Sequence, residues 1–111
     1  MGELTGSSIK NISVKRQSDV VIKKTLAVYA TVNVEADTIL KPGQVLITID
    51  GGDTFTVPAD NAAEPNGILC ENISKTGKSE VLVVGIVREK HLDSYVADYK
   101  LHLFANKIIL K

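Results

Sequence analysis

The stretch EPNGILCENISKTGKSEVLVVGIV, residues 64–87, constrains the fold more than any other part of the chain. Two apolar runs, residues 68–70 and 81–84, each adjoin a glycine, and polar turn-forming residues separate them. Short apolar runs bounded by turn residues are typical of strands. The second run is apolar at four successive positions, which predicts a strand buried on both faces at the centre of a barrel or sandwich.

Most of the remaining chain also has strand patterns. Apolar and polar residues alternate through much of residues 9–34, which predicts strands with one wet face. Pro42-Gly43 predicts a turn, because proline fixes a negative φ and glycine accepts a positive one. A strand is expected at residues 45–49, and a second at residues 54–57 that pairs back through a tight turn at residues 50–53.

The C-terminal part of the chain contains the single predicted helix. Within residues 88–101, apolar residues recur at steps of three and four, which is typical of an amphipathic helix. The members of this stripe are Leu92, Tyr95, Val96 and Tyr99. Residues 101–111 are predicted to form two short strands around Ala105-Asn106. The patterns therefore predict one mainly β domain with one short helix, spanning residues 19–111, preceded by a flexible N-terminal arm at residues 1–18.

Composition and charge limit the classes of function. The single cysteine excludes an internal disulfide, and no apolar run approaches the ~20 residues of a membrane span, so we expect a soluble protein. Net charge is zero, but residues 1–30, 31–74 and 75–111 carry +3, −6 and +3. An acidic middle between basic ends favours packing against a neighbouring subunit over binding in a nucleic-acid groove, the alternative being a solvated surface with chance clustering.

Residues with catalytic or metal-binding chemistry are few. His91 and His102 are the only general bases near neutral pH, and neither accompanies a nucleophile motif. Cys70 follows two apolar residues and is interpreted as a small buried hydrophobe. Asp50 and Asp53 offer two carboxylates, fewer than a calcium site needs. We therefore expect no catalytic residue, no metal and no cofactor.

One segment raises a different possibility. LKPGQVLITID, residues 40–50, resembles the glycine-turn strand of biotinyl and lipoyl carrier domains, which carry their cofactor on a lysine at a hairpin tip. Here the hairpin tips are DGGD and KTGK, without the flanking residues of a carrier lysine. A carrier domain is therefore the weaker alternative.

Four segments occur in the order found in a known family: KPGQVLITIDG, NGILCENI, EVLVVGIVREKHLD and LFANKIILK. In this order they resemble the lambda-type bacteriophage head decoration proteins, also called capsid-stabilising or cement proteins. The resemblance covers roughly residues 36–111, about two thirds of the chain. Two features differ from the family: a helix replaces a stretch bearing proline and tryptophan, and the N-terminal third is richer in lysine and strand-forming residues.

The resemblance implies a small mixed β-barrel, β-tulip-like, with an extended N-terminal segment. Glycine is needed where a strand bends sharply or backbones approach closely, so Gly67 and Gly85 are interpreted as such positions, with Ile68, Leu69, Ile86 and Val87 turned into the core. Because three copies meet at a three-fold axis in the family, some of these residues have contact with a neighbouring copy as their alternative role. The positions concerned are Gly67, Ile68, Leu69, Gly85 and Ile86.

The function that the resemblance implies is capsid decoration. Trimers bind outside the expanded icosahedral head at three-fold and quasi-three-fold positions and stabilise it against the pressure of packaged DNA. The implied partners are the major capsid protein and further copies of the chain, with no nucleic acid and no membrane. The protein is made in the host cytoplasm and resides on the outer surface of the virion. A host-binding module displayed on the virion is the alternative within the same fold.

The N-terminal third is the predicted capsid-facing part, because family members order this arm on the shell and add a strand to a capsid sheet. The residues assigned to this contact are Ile9, Ile12, Val14, Lys15, Arg16, Val20, Ile22, Lys23 and Lys24. For residues 20–34 an equally good alternative is the first strand of the barrel.

Overall fold

The structure is a computed structural model that describes residues 16–111. Six strands, two short helices and a 3-10 turn form these residues, so the prediction of a mainly β fold is confirmed. In chain order the elements are α1 (Gln17–Val20), β1 (Val21–Val32), β2 (Val45–Leu46), β3 (Thr54–Phe55), β4 (Gly67–Leu69), β5 (Gly77–Val87), the 3-10 turn (Glu89–His91), α2 (Tyr99–Ala105) and β6 (Ile108–Leu110).

The strands form one mixed sheet that closes on itself. Its order is β2-β4-β5-β1-β3, and β6 lies beside β5. The pairs β1–β3 and β5–β6 are parallel, and the other pairs are antiparallel. Ile47 and Thr56 exchange two backbone hydrogen bonds of 2.8 and 2.9 Å, which join the chain after β2 to the chain after β3. This bridge links the two ends of the strand order and makes the sheet a small barrel.

The long strands β1 and β5 form the centre of the sheet. They pair from Val32–Gly77 at one end to Val21–Val87 at the other, with register shifts between Val21 and Ala27. Such bulges bend a strand and increase its twist. Because β3 pairs with β1 only at Thr31 and Val32, the barrel is closed only around that end. The other end continues as a three-stranded flare, β6-β5-β1.

Two apolar clusters pack on opposite sides of the sheet. Val81 and Leu82 are both fully buried and belong to different clusters, as the prediction of a strand buried on both faces requires. The inner cluster fills the barrel with Ala30, Val32, Leu40, Leu46, Phe55, Leu69 and Val81. The outer cluster packs beneath α1, α2 and the chain between them, and comprises Val20, Val45, Ile68, Cys70, Leu82, Val87, Tyr99, Leu103, Ile108 and Leu110.

The helix predicted at residues 88–101 is wrong in its position. The chain makes a 3-10 turn at Glu89–His91, and α2 begins only at Tyr99. The predicted apolar stripe does pack on the outer cluster, but from irregular chain that Ser94 interrupts with a φ of 58°. Helical packing is provided instead by Tyr99 and Leu103, which are buried and lie four residues apart.

The position of α2 also overturns the first of the two strands predicted in residues 101–111. Leu101 and Leu103 alternate with polar residues, but they lie on different sides of a helix, and Leu103 alone is buried. The second predicted strand is confirmed as β6. Both turn predictions are also confirmed, because Gly43 has a φ of 100° and Gly51 and Gly52 have φ values of 81° and 103°.

Candidate functional site

The predicted capsid-facing residues divide into two groups. Four of them lie outside the described residues: Ile9, Ile12, Val14 and Lys15. The others lie in or beside α1 and at the start of β1: Arg16, Val20, Ile22, Lys23 and Lys24.

The helix α1 is bonded to the body of the protein. Gln17 Nε2 donates to the Cys70 carbonyl oxygen at 3.2 Å and to Glu80 Oε1 at 3.0 Å. Arg88 Nη1 donates to the Ser18 carbonyl oxygen at 3.2 Å. Residues 17 and 18, which the sequence assigned to a flexible arm, therefore belong to the barrel domain in this structure.

Val20 is misassigned as a capsid contact. Its side chain is fully buried in the outer cluster, where it packs with Ile68 and Leu82, because α1 lays its only apolar side chain on the sheet. Ile22 and Lys23 are exposed on β1, which pairs along its whole length with β5. Residues 21–32 are thus a strand of the barrel sheet, as the alternative interpretation predicts, and Ile22, Lys23 and Lys24 are surface residues of that strand.

Lys24 forms an ion pair on the face that α1 covers. Its Nζ lies 2.6 Å from Glu80 Oε2, while the other oxygen of the same carboxylate accepts from Gln17. The hydrogen bond to Glu80 raises the pKa of Lys24. An exposed pair of this kind stabilises a fold by at most about 1 kcal/mol, but it fixes where Lys24 points. The charge of Lys24 is therefore neutralised locally.

Glu71 is the centre of a second polar cluster. Its carboxylate accepts hydrogen bonds from the Glu80 backbone N–H at 2.9 Å, Ser79 Oγ at 2.8 Å and the Tyr29 hydroxyl at 3.1 Å. These donors lower the pKa of Glu71, the backbone N–H most of all, and Glu71 in turn raises the pKa of Tyr29. The cluster joins β1, β5 and the chain after β4, which is a structural role.

The residues considered for catalysis lie apart from one another. Cys70 is buried, and desolvation raises its pKa to about 12, so its thiol stays protonated at neutral pH. His91 ends the 3-10 turn, and His102 lies in α2 rather than in the predicted strand. Within residues 16–111, no group of three or more His, Cys, Asp or Glu side chains is arranged to hold a metal ion.

Gly67 has the close approach that its sequence context predicts. A Cβ at this position would lie 2.8 Å from the Phe55 ring and 2.8 Å from a methyl group of Val81. The next two residues, Ile68 and Leu69, are fully buried in the outer and inner clusters respectively. Their role in this structure is core packing rather than contact with another subunit.

Gly85 lies between two strands. Its N–H donates to the Lys107 carbonyl oxygen at 3.1 Å, and a Cβ would collide with the Lys23 carbonyl oxygen on the other side. The predicted close approach is therefore present. The prediction that Ile86 faces the core is wrong, because successive strand residues face opposite sides and it is Val87 that is buried. Ile86 is half-buried and belongs to neither apolar cluster.

The sequence analysis missed three exposed apolar residues. Ile49, in the hairpin that follows β2, is 94 % exposed, and Leu101 and Phe104 on α2 are 79 % and 63 % exposed. Pattern alone could not separate Ile49 from the buried residues of the same apolar run. Leu101 and Phe104 were hidden because the segment was predicted to form a strand.

The hairpin that carries Ile49 is held by side-chain hydrogen bonds. Asp50 Oδ1 accepts from Thr48 Oγ1 at 2.8 Å and from the Thr54 N–H at 3.0 Å, and these bonds lower the pKa of Asp50, that from the Thr54 backbone most. The Asn66 side chain bonds both the N–H and the carbonyl of Thr48, at 3.0 and 3.3 Å. The hairpin therefore presents Ile49 from a well-bonded support.

Comparison with known proteins does not assign the chain to a family: no protein-family model matches it, and no curated protein matches it significantly. In the part of the chain that the structure describes, no helix is long and apolar enough to cross a membrane.

Proposed function

We propose that this protein is a bacteriophage head decoration protein. It binds the outside of the expanded icosahedral head as trimers at three-fold and quasi-three-fold positions and stabilises the shell against the pressure of packaged DNA. Each copy contributes a modest contact with the major capsid protein, and three joined copies gain avidity through effective concentration. The protein acts as a binding and clamping module, with no catalytic step and no cofactor.

The observation that carries this proposal is the arrangement of the four motif segments in one small mixed barrel. The KPGQVLITIDG and NGILCENI segments supply β2 and β4, EVLVVGIV supplies most of β5, and LFANKIILK supplies the end of α2 and β6. β5 pairs directly with β4 and β6, so segments far apart in the chain meet at its centre. The fold implied by the resemblance and the observed barrel therefore agree.

The way in which the N-terminal segment joins the barrel supports a capsid-facing role for it. α1 is hydrogen-bonded to the barrel immediately after residue 16, which gives the preceding residues a fixed point of attachment. The sheet end at which β1 starts and β5 ends also carries Lys23, Arg88 and Lys111. A basic end of this kind attracts an acidic shell at long range and increases the rate of encounter.

Co-sedimentation with expanded, undecorated shells of the phage that encodes the protein tests the proposal. Saturable pelleting near one copy per capsid subunit is the expected result. Absence of pelleting at micromolar protein would overturn the proposal, and a mass increase on a lysine would then favour the carrier alternative. Binding that leaves the stability of the shell unchanged would favour the host-binding module.

Deletion of residues 1–15 separates the segment from the barrel. Because Gln17 and Val20 are part of the body, this deletion, unlike one that extends to residue 18, leaves α1 and its hydrogen bonds in place. We expect a folded protein by circular dichroism with weakened shell binding. As a matched variant, K10S/K15S keeps the length but removes charge. If its binding falls as far as that of the deletion, steering rather than strand addition explains the effect. Wild-type binding by the deletion variant would refute a role for the segment.

A further inference from the structure

An apolar surface lies on the flare, on the side opposite the outer cluster. Ile108 and Leu110 face that cluster, so Ile109 between them faces away from it, as does its pairing partner Ile86. Ile109 lines a cleft of about 460 Å³ together with Leu101 and Phe104 of α2. We name these four residues, Ile86, Ile109, Leu101 and Phe104, the flare face. None of them belongs to either core cluster, so no core packing within residues 16–111 explains them.

Lysines border the flare face. Lys23 is the β1 neighbour of Ile86, Lys107 immediately precedes β6, and Lys100 immediately precedes Leu101. Lys100 shares its charge with Glu89, at 3.3 Å, while Lys23 and Lys107 are exposed. A surface with an apolar centre and a basic border fits a partner with an apolar centre and an acidic border.

The hairpin tip of the same chain has that complementary chemistry. We define the tip as residues 49–53, in which Ile49 is almost completely exposed and Asp50 and Asp53 flank the two glycines. Its hydrogen bonds to Thr48, Thr54 and Asn66 fix the tip before any partner arrives, which lowers the entropy cost of binding. An exposed isoleucine on a preformed support is suited to anchor an interface.

We propose that the hairpin tip of one copy docks on the flare face of the next copy. Ile49 packs against Phe104 and Ile109, and the tip carboxylates approach the bordering Lys23 and Lys107. The contact joins two different surfaces, so its repetition produces a closed ring when the rotation between copies allows closure. The number of copies, three, rests on the proposed function. The contact itself rests on the two complementary surfaces.

The exposed edge of β1 is a poorer contact between copies. Residues 21–30 of β1 have no strand beside them on the side away from β5 within the described part of the chain. Antiparallel pairing of two such edges would bring Lys23 of one copy near the same basic stretch of the other. The register shifts also distort this edge. Lysines and bulges are features that prevent edge-to-edge pairing, which favours the tip contact instead.

Cross-linking at paired cysteines tests the contact. In the I49C/F104C variant, a short bismaleimide joins the tip of one copy to the flare face of the next, while Cys70 is buried and reacts poorly. The matched control is I39C/F104C, because Ile39 is also exposed, at 66 %, but follows the opposite end of β1. Both variants are treated as concentrated protein and on shells, and products are resolved by denaturing electrophoresis. Covalent trimers from the first variant, at roughly tenfold the yield of the control, are the expected result.

Charge reversal provides a second test that does not depend on the linker. D53K and K107E each weaken the association by roughly tenfold, and mixing the two single variants restores a contact in which the reversed charges face each other. Both residues are exposed, so both variants should fold. Equal association of wild type and both single variants would overturn the proposed contact.

The outcomes separate this inference from the proposed function. Pelleting with shells without tip-to-face cross-links in either condition overturns the contact and leaves decoration standing. Cross-linked oligomers in solution without pelleting support the contact and overturn decoration. Absence of both overturns both.

Discussion

Replacement of Gly85 by alanine tests the central packing of the sheet. Gly85 is hydrogen-bonded to β6 through its N–H, and the site of its missing Cβ is occupied by the Lys23 carbonyl oxygen of β1. Two methyl groups of Leu82 would lie 3.1 and 3.2 Å from the added carbon. A carbonyl group in a paired strand cannot move away without disturbing the pairing of β1 with β5.

The matched control is Gly77→Ala in the same strand. The nearest atom to a Cβ on Gly77 is 3.9 Å away, and neither glycine has a positive φ. The alanine at position 77 should therefore stabilise the fold by about 0.4–1 kcal/mol, because it reduces the entropy of the unfolded chain. Overpacking at position 85 should destabilise by about 1–3 kcal/mol. The two variants should thus differ by roughly 2 kcal/mol or more.

Urea denaturation followed by circular dichroism measures this difference. The predicted gap corresponds to a melting temperature lower by about 8 °C or more for G85A than for G77A in a domain of this size. If the two variants unfold within about 0.5 kcal/mol of each other, the close approach of β1 to Gly85 does not limit the fold, and the assignment of Gly85 to a packing role is refuted.

Three further changes test the core, the polar cluster and the thiol. Ile68→Ala should lower the free energy of unfolding by about 2–5 kcal/mol and Ile22→Ala by less than about 0.5 kcal/mol in denaturant titrations, because only Ile68 is buried; equal losses would contradict the burial pattern. The lowered pKa of Glu71 contributes stability that is present above its ordinary value of 4.5 and is lost as the pH falls through the folded-state pKa below it, so between about pH 5 and 3 the Glu71→Gln variant should lose less stability in acid titrations than wild type; parallel curves would contradict this. Cys70, whose pKa is raised to about 12, should react with a thiol reagent only at the rate of unfolding, and fast reaction of the native protein would show that it is accessible.

The strands were predictable where pattern and turn chemistry agreed. β4 and β5 follow from short aliphatic runs beside Gly67 and Gly85, and the turns at Gly43 and residues 51–52 follow from the need for a positive φ. Burial of both Val81 and Leu82 follows from a strand without polar alternation. In these segments each local preference matches the tertiary fold, which is why local inference succeeds.

The C-terminal segment failed because tertiary packing overrode its periodicity. The stripe of Leu92, Tyr95 and Val96 has helical spacing, yet these residues reach the outer cluster from irregular chain. Helix propensity is a weak preference that packing readily overrides. The same cause moved the helix onto residues 99–105, and this exposed Leu101 and Phe104, which the sequence gave no reason to place on a surface.

The candidate surfaces were only partly predictable. A run such as VLITI contains alternating positions, but it does not reveal that Ile49 lies beyond the last paired residue of its strand. Val20 looked like a surface residue of an arm, and only the docking of α1 on the outer cluster shows that it is buried. The separation of acidic and basic segments was visible from the start. Its placement on a tip and a face required the fold.

Thermal disruption of undecorated expanded shells, with and without saturating protein, is the most direct test of the central claim. The account predicts that shells incubated with the wild-type protein survive to a higher temperature in proportion to the copies bound, and that protein lacking residues 1–15 protects them less. Shells that bind the protein to saturation yet break at the same temperature as bare shells would contradict it.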